Sequence, residues 1–523
     1  MNKQDLHKVV FDKWNNSVYN FKRKDAEKWV EEQPKTKDGE GILTWAREHP
    51  YLRVNTASVP SGIFPDTLSV KIHDVGTFPP KSRRAMILDD DVYDAFPHIR
   101  TFIPRGCCIL EVDDQTNKKT TFHLVVFAMK KFTGGPGDDD DLSSLLESED
   151  NEVETERSRE RFEYYFSDNV NNSKKILKTS KENGEAAHLG FFKHEDVLYF
   201  VFGSKNVHMI VRNQEDVGKY KDRRYLTANM IAEVMKKQFN PDSESKIKTF
   251  IDHMVTNNLC ANFEFLNVDY QHVELFDFTQ SKYRFISFSS LVNLEKVSSD
   301  DLESDVKVAS EAGLETVTVE SFSYEQQKEL FDIVRKDRGK EGSVLYYYND
   351  KECIGMVKKK SAWYVCLRSV REKMKPFAER VHKKEFDNEE KAVSSLKSKI
   401  RSALRQKQDW IGFDDEALEK WITVAQGFAE WMLDAVKNNK VPLEQVRTAF
   451  PVVWNQYLTE KGQSDQIDVV IDASKINNKK RDREEGGNDN DQDRKQKRQK
   501  YNNNRGGRGG HRGKKKSAFD FTN

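Results

Sequence analysis

Short apolar runs bounded by turn residues dominate the middle of the chain. Ile109-Leu110-Glu111-Val112, Leu198-Tyr199-Phe200-Val201-Phe202, Ala261-Asn262-Phe263-Glu264-Phe265 and Val344-Leu345-Tyr346-Tyr347-Tyr348 are β-branched or aromatic and four or five residues long, as strands are. Residues 227–239 interrupt them with a helical spacing, with apolar positions at Met230, Ile231, Val234 and Met235. From about Val370 to Leu458 the period turns helical. Trp421, Ile422, Ala425, Phe428 and Met432 share one face behind a capping pair, Asp414-Asp415, and the tryptophans read as core. The pattern predicts an α+β fold with antiparallel sheets over 95–370 and an all-α C-terminal domain over 371–460. Residues 1–94 are expected to be an N-terminal extension of mixed helix and loop.

Composition adds two segments too polar to bury a core. An acidic loop insertion is expected at 134–156, and a disordered basic tail at 475–523. The tail carries 16 basic and 7 acidic residues, which leaves it at +9 and the preceding 474 residues at −9. With RGGRGG at Arg505–Gly510 and basic clusters at 479–483 and 494–500, it is suited to a polyanion and to nuclear import. Five scattered cysteines without metal-ligand spacing fit free thiols in a reducing compartment. No apolar run is long enough for a membrane span, and the polar start is unlike a signal peptide. The expectation is an intracellular protein, nuclear or cytoplasmic, with no membrane partner.

The candidate chemistry begins at Lys181-Glu182-Asn183-Gly184, which follows a strand-like ILKTS and precedes a hairpin pattern. A lysine at a strand end can serve as a covalent nucleophile when it is neutral, and Gly184 allows close backbone approach. The tetrapeptide K-x-x-G alone identifies nothing, since it recurs at Lys131 and Lys336. The signal lies in the order of the downstream segments: Gly203-Ser204-Lys205-Asn206, then Glu264 in ANFEF, then Glu341-Gly342. Last comes KKKSAWY, whose alternation puts Lys358 and Lys360 on one strand face. Two carboxylates and two same-face lysines suit a triphosphate and a metal.

This order resembles the RNA ligase 1 family of T-even phages, within the covalent nucleotidyltransferase superfamily. KENG is similar to motif I, K-x-[DN]-G; ANFEF to motif III; Glu341-Gly342 to motif IV; and KKKSAWY to motif V, K-x-K-S-x-W-Y. Upstream, Arg105-Gly106-Cys107-Cys108-Ile109-Leu110-Glu111 resembles the family's R-G strand. Met129–Gly135 resembles its K-F-F-N segment, and GSKN its S-K-G-S turn. Thr133 stands where the family tends to have a second aromatic. The resemblance implies an ATP-grasp-like ligase domain that uses ATP with Mg2+ or Mn2+. Lys181 would be the nucleophile that carries AMP. Lys358 and Lys360 would neutralise the α-phosphate and help hold Lys181 deprotonated. Arg105, Lys131, Gly184, Lys205, Glu264, Glu341 and Gly342 would bind nucleotide, Glu341 also the metal. The implied partner is RNA with 5′-phosphate and 3′-hydroxyl ends. Alternatives are an mRNA-capping guanylyltransferase and a non-catalytic RNA-binding protein acting through its RGG tail. No P-loop signature occurs, so a built-in polynucleotide kinase is not expected.

Overall fold

The computed structural model describes residues 29–78, 89–134, 165–238, 244–383 and 388–463. The chain divides into two units, Met1–Ile471 and Asp472–Asn523, and every described residue lies in the first. The basic tail, and the acidic insertion beyond Gly134, fall outside the described residues.

Three antiparallel sheets carry the first part of the molecule. Strands β1 (Leu52–Ser58), β2 (Leu68–Thr77), β3 (Cys107–Asp114) and β4 (Lys119–Phe127) form one sheet in sequential order. A second holds β6 (Glu185–His194), β7 (Val197–Ser204), β8 (His208–Val211), β9 (Leu259–Leu266) and β10 (Lys282–Ser290), ordered β10-β9-β6-β7-β8. The third is β11-β5-β12-β13, from Val319–Ser323, Lys175–Ser180, Gly342–Tyr348 and Cys353–Lys360. The four apolar runs all lie inside strands, and the expected helix is observed as Leu226–Gln238.

Burial explains these elements. The first two sheets share a core in which Ile72, Leu110 and Val126 meet Phe192, Tyr199 and Val201. The other face of the second sheet buries Phe263 and Phe265 among residues of Leu226–Gln238, Glu244–Asn257 and Leu302–Glu311. Strand β12 is buried on both sides. Leu345 and Tyr347 face one core, and Val344, Tyr346 and Tyr348 the other. That accounts for its unbroken apolar run, since a strand covered on both faces has no solvent side to mark with polar residues.

Two expected boundaries are corrected. Among the described residues before 95, 52–77 are not helix and loop, because β1 and β2 continue the sheet of β3 and β4 through the full β2–β3 register, Leu68↔Asp114 to Val75↔Cys107. The helical region begins before 371, at Ala362–His382. Ser361, buried at the end of β13, accepts at Oγ from Tyr364 N (3.1 Å), and its carbonyl accepts from Val365 N. A serine directly before an apolar run is a start signal, and here it ends the strand at Lys360 and opens the helix at Ala362. The helices Glu389–Ile411, Asp415–Lys437 and Phe450–Lys461 then pack around Trp421, Phe428 and Trp454. Asp414 caps Asp415–Lys437 by accepting from Glu416 N. All five cysteines are buried and unpaired.

Candidate active site

Strand register builds the site. β5 and β13 flank β12, pairing Ser180 with Ser343 and Ser343 with Lys359. One row further, Lys181 N donates to Gly342 O (2.9 Å) and Gly342 pairs with Lys360. Lys181 and Lys360 therefore stand on either side of a residue without a side chain. Gly342 is required there on two counts. Its φ is +139°, and a Cβ would lie 2.1 Å from Lys359 O. Alternation places Lys358 on the same face as Lys360, about 7 Å along the strand.

Glu341, just before this glycine, is 3% exposed, and its Oε1 accepts from Lys181 Nζ at 2.8 Å and lies 3.8 Å from Lys360 Nζ. Its Oε2 accepts from Asn183 Nδ2 (2.5 Å). Asn183 is buried and held on its other side: Oδ1 accepts from Val273 N (3.0 Å) and Glu274 N (3.1 Å). Glu264 accepts at Oε1 from Gly184 N (2.9 Å). Gly184 is needed for packing, because a Cβ would sit 2.3 Å from Phe265 O in β9. Glu182 is satisfied by Ser180 Oγ and Arg284 Nη1.

The electrostatics around Lys181 are set chiefly by its carboxylate neighbours. Burial works against the Lys181 ammonium, but Glu341 and Glu264 outweigh it and raise its pKa above the usual lysine value. Burial lifts Glu264 to about 7 against the pull of Lys181. It lifts Glu274 to about 7 as well, with Glu182 adding repulsion. The expectation that neighbouring lysines hold Lys181 neutral is thus not met in this state. The carboxylates win, and the amine is a cation.

A second cluster has the opposite balance. Lys131 Nζ lies 2.7 Å and Arg105 Nη2 3.3 Å from the carboxylate of Asp90, while Lys205 Nζ lies 2.8 Å from Asp89, which also accepts from Thr77 Oγ1. Despite burial, Lys131 and Arg105 hold Asp90 down at about 2, with Lys358 adding to the pull. Burial and the charge of Arg105 lower Lys205. Thr133 is buried, and its carbonyl accepts from Lys358 N (3.3 Å), which ties the MKKFTGG segment to β13.

The sequence-derived residues therefore fall into two groups. Lys181, Gly184, Glu264, Glu341, Gly342 and Lys360 surround the candidate nucleophile. Arg105, Lys131, Lys205 and Lys358 gather on Asp89 and Asp90, and β13 joins the groups. Sequence reasoning missed Asn183, which sits inside KENG, as well as Glu274, Asp89 and Asp90. The aspartates carried no signal, since a run of acidic residues before an apolar pair reads as solvated surface. For a hard cation the available donors are carboxylate oxygens, chiefly those of Glu341. One or two carboxylates with water and phosphate ligands is what Mg2+ accepts, so the donor set fits.

No protein-family model and no curated protein sequence matches this chain. Among solved structures, an archaeal ATP-dependent RNA ligase aligns over 75% of this chain and 77% of its own length, at 12% identity and a TM-score of 0.39. A mutant Naegleria gruberi RNA ligase with ATP and Mn aligns over 37% of this chain and 51% of its own, about half its length, at 12% identity and a TM-score of 0.25. Similarity at this level leaves the α+β class, antiparallel sheets followed by helices, to stand on the structure itself.

Proposed function

We propose that this protein is an ATP-dependent RNA ligase that joins a 5′-phosphate to a 3′-hydroxyl through a lysyl-AMP intermediate. The observation that carries the reading is the Lys181–Glu341 contact of 2.8 Å, with Lys360 on the same carboxylate, between residues far apart in sequence. Motif order alone singles out the same three residues.

In the first step Lys181 Nζ, after losing a proton, attacks the α-phosphorus of ATP. A P–N bond forms, the bond from Pα to the bridging oxygen breaks, and pyrophosphate leaves. Glu341 Oε1 is within hydrogen-bond reach of the departing proton. Lys360 and Lys358 offset charge on the α-phosphate, and Arg105, Lys131 and Lys205 receive the leaving phosphates in exchange for Asp90 and Asp89. When bound beside Glu341, a divalent cation supplies charge neutralisation for the triphosphate. A 5′-phosphate oxygen of RNA then displaces Lys181 from the AMP phosphorus. Finally a 3′-hydroxyl attacks the 5′-phosphorus and AMP departs, sealing the strand.

Incubation with α-labelled ATP or GTP tests this. Label from ATP is expected on the protein, lost in Lys181→Ala and retained, though weakened, in Lys131→Ala. Label from GTP alone would favour the capping reading, and no label would leave the non-catalytic RNA-binding reading.

A further inference from the structure

The helix Ala362–His382 leaves the site as a line of cations. Tyr364, whose hydroxyl accepts from Asn183 Nδ2 (3.3 Å), marks its start beside Lys181 and Glu341. Arg368 comes four residues on and donates to that same hydroxyl (3.4 Å); Arg371 and Lys375 come three and then four residues later. Steps of four, three and four keep one helix face, and eleven residues span about 16 Å. Lys407, from the helix Glu389–Ile411, joins the line beside Arg368. His272 completes it from the loop that Asn183 holds through Val273 and Glu274, and that Gln271 N ties to Thr448 O (2.6 Å).

Three observations point to an anionic ligand. Arg371 is 6% exposed, its Nη1 donates to Glu372 (2.9 Å), and its buried Nε has no hydrogen-bond partner. The buried Nε2 of His272 has none either. Buried polar groups left unsatisfied call for a partner, and two of them beside a row of cations suit one anion. The surroundings are also mutually repulsive. Burial and then Arg371, Arg368, Lys375 and Lys181 lower His272 to about 4, while burial lowers Lys407 against the pull of Cys366, with Arg368 and Lys373 adding to the lowering. Opposing charge comes from Glu372, from Glu341 near Arg368, and from Glu379 one turn beyond Lys375, where the line ends.

We propose that Arg368, Arg371, Lys375 and Lys407 form a track for the sugar-phosphate backbone of the RNA strand delivered to Lys181. This rests on the ligase reading, because it assigns the substrate path of that site. The half-buried Arg368, Lys375 and Lys407 contact phosphates, and Arg371 with His272 receives one from beneath.

The test is binding of a short, single-stranded, 5′-phosphorylated oligoribonucleotide to the full chain across a salt series. Lys375→Glu/Lys407→Glu is compared with Lys375→Ala and with a charge-matched control, Lys248→Glu/Lys307→Glu, whose lysines are solvent-exposed on other helices. Each phosphate of a single strand that is no longer neutralised lowers the log–log salt slope by about 0.7. The double variant is expected to lose about 1.4 of slope and at least tenfold in affinity at ~0.1 M salt. Lys375→Ala is expected to lose half that slope, and the control none. The basic tail is common to all variants and cancels. Equal slopes in the double variant and the control overturn the track. ATP labelling of the wild-type chain is read in parallel. Absence of label defeats the ligase reading, whatever the slopes show.

Discussion

The two charge clusters that β13 connects are near inversions of each other. Around Lys181 the carboxylates of Glu341, Glu264 and their acidic neighbours outnumber the amines of Lys181 and Lys360. Around Asp90 a single carboxylate is shared among Lys131, Arg105 and the field of Lys358. In each the minority charge is stabilised: the lysine pKa rises and the aspartate pKa falls, although burial pushes both the other way. On the proposed ligase reading, the difference points to where a polyphosphate and its cation would enter. Phosphates would take the place of Asp90 and Asp89 on the second cluster, and Glu341 would be free to hold a cation in the first. Nucleotide binding would then be an exchange of ion partners, with little charge left bare at any stage.

Removing Glu341 breaks this comparison most directly. Glu341→Gln deletes the counter-charge of Lys181 and the carboxylate that would hold a cation on the ligase reading. ATP labelling is expected to fall at least a hundredfold, on the scale of losing a main electrostatic group. Were Glu341 only a restraint on the amine, labelling would instead speed up, because burial alone lowers Lys181. On the other cluster, Asp90→Asn removes the internal anion. Affinity for inorganic pyrophosphate, measured calorimetrically, is expected to rise about tenfold. The melting temperature should fall at the same time, since Asp90 contributes about 2 kcal/mol when ionised. The sign comes from a carboxyl whose folded pKa of about 2 lies below its ordinary value of 3.8: the contribution is present above about pH 4 and lost as pH falls towards 2.

Glu264 gives an effect of opposite sign, read in stability alone. Its folded value of about 7 lies above the ordinary 4.5, so the fold binds the proton more tightly than the unfolded chain does. That contribution is full below about pH 4.5 and lost as pH rises through 7, amounting to at most about 3 kcal/mol. Urea unfolding of Glu264→Gln should show a flatter stability profile than wild type between about pH 5 and 7.5. An unchanged slope would place the titration on Glu274, which burial raises equally.

Much of this architecture was legible in the chain because strands and helices advertise their period. Ala261–Phe265 alternates two buried aromatics with Asn262 and Glu264, and Glu264 does face the Lys181 segment through Gly184. Lys358 and Lys360 share a face, as two residues two apart in a strand must. The N-terminal strands were hidden for the opposite reason. β1 reads Leu-Arg-Val-Asn-Thr-Ala-Ser, an edge strand with one neighbour and mostly exposed side chains, so its polarity resembles a loop. Asp89 and Asp90 were illegible because nothing local tells a carboxylate in water from one enclosed by three cations.

What the sequence determined by itself is the local part: which of the strongly patterned segments extend, which coil, and which residues carry amines and carboxyl groups. Tertiary structure alone decided which of those groups meet. Glu341 reaches Lys181 because β12 lies between β5 and β13 and Gly342 leaves the row open. It also decided their charge states, because a pKa depends on burial and on neighbours that arrive from distant parts of the chain.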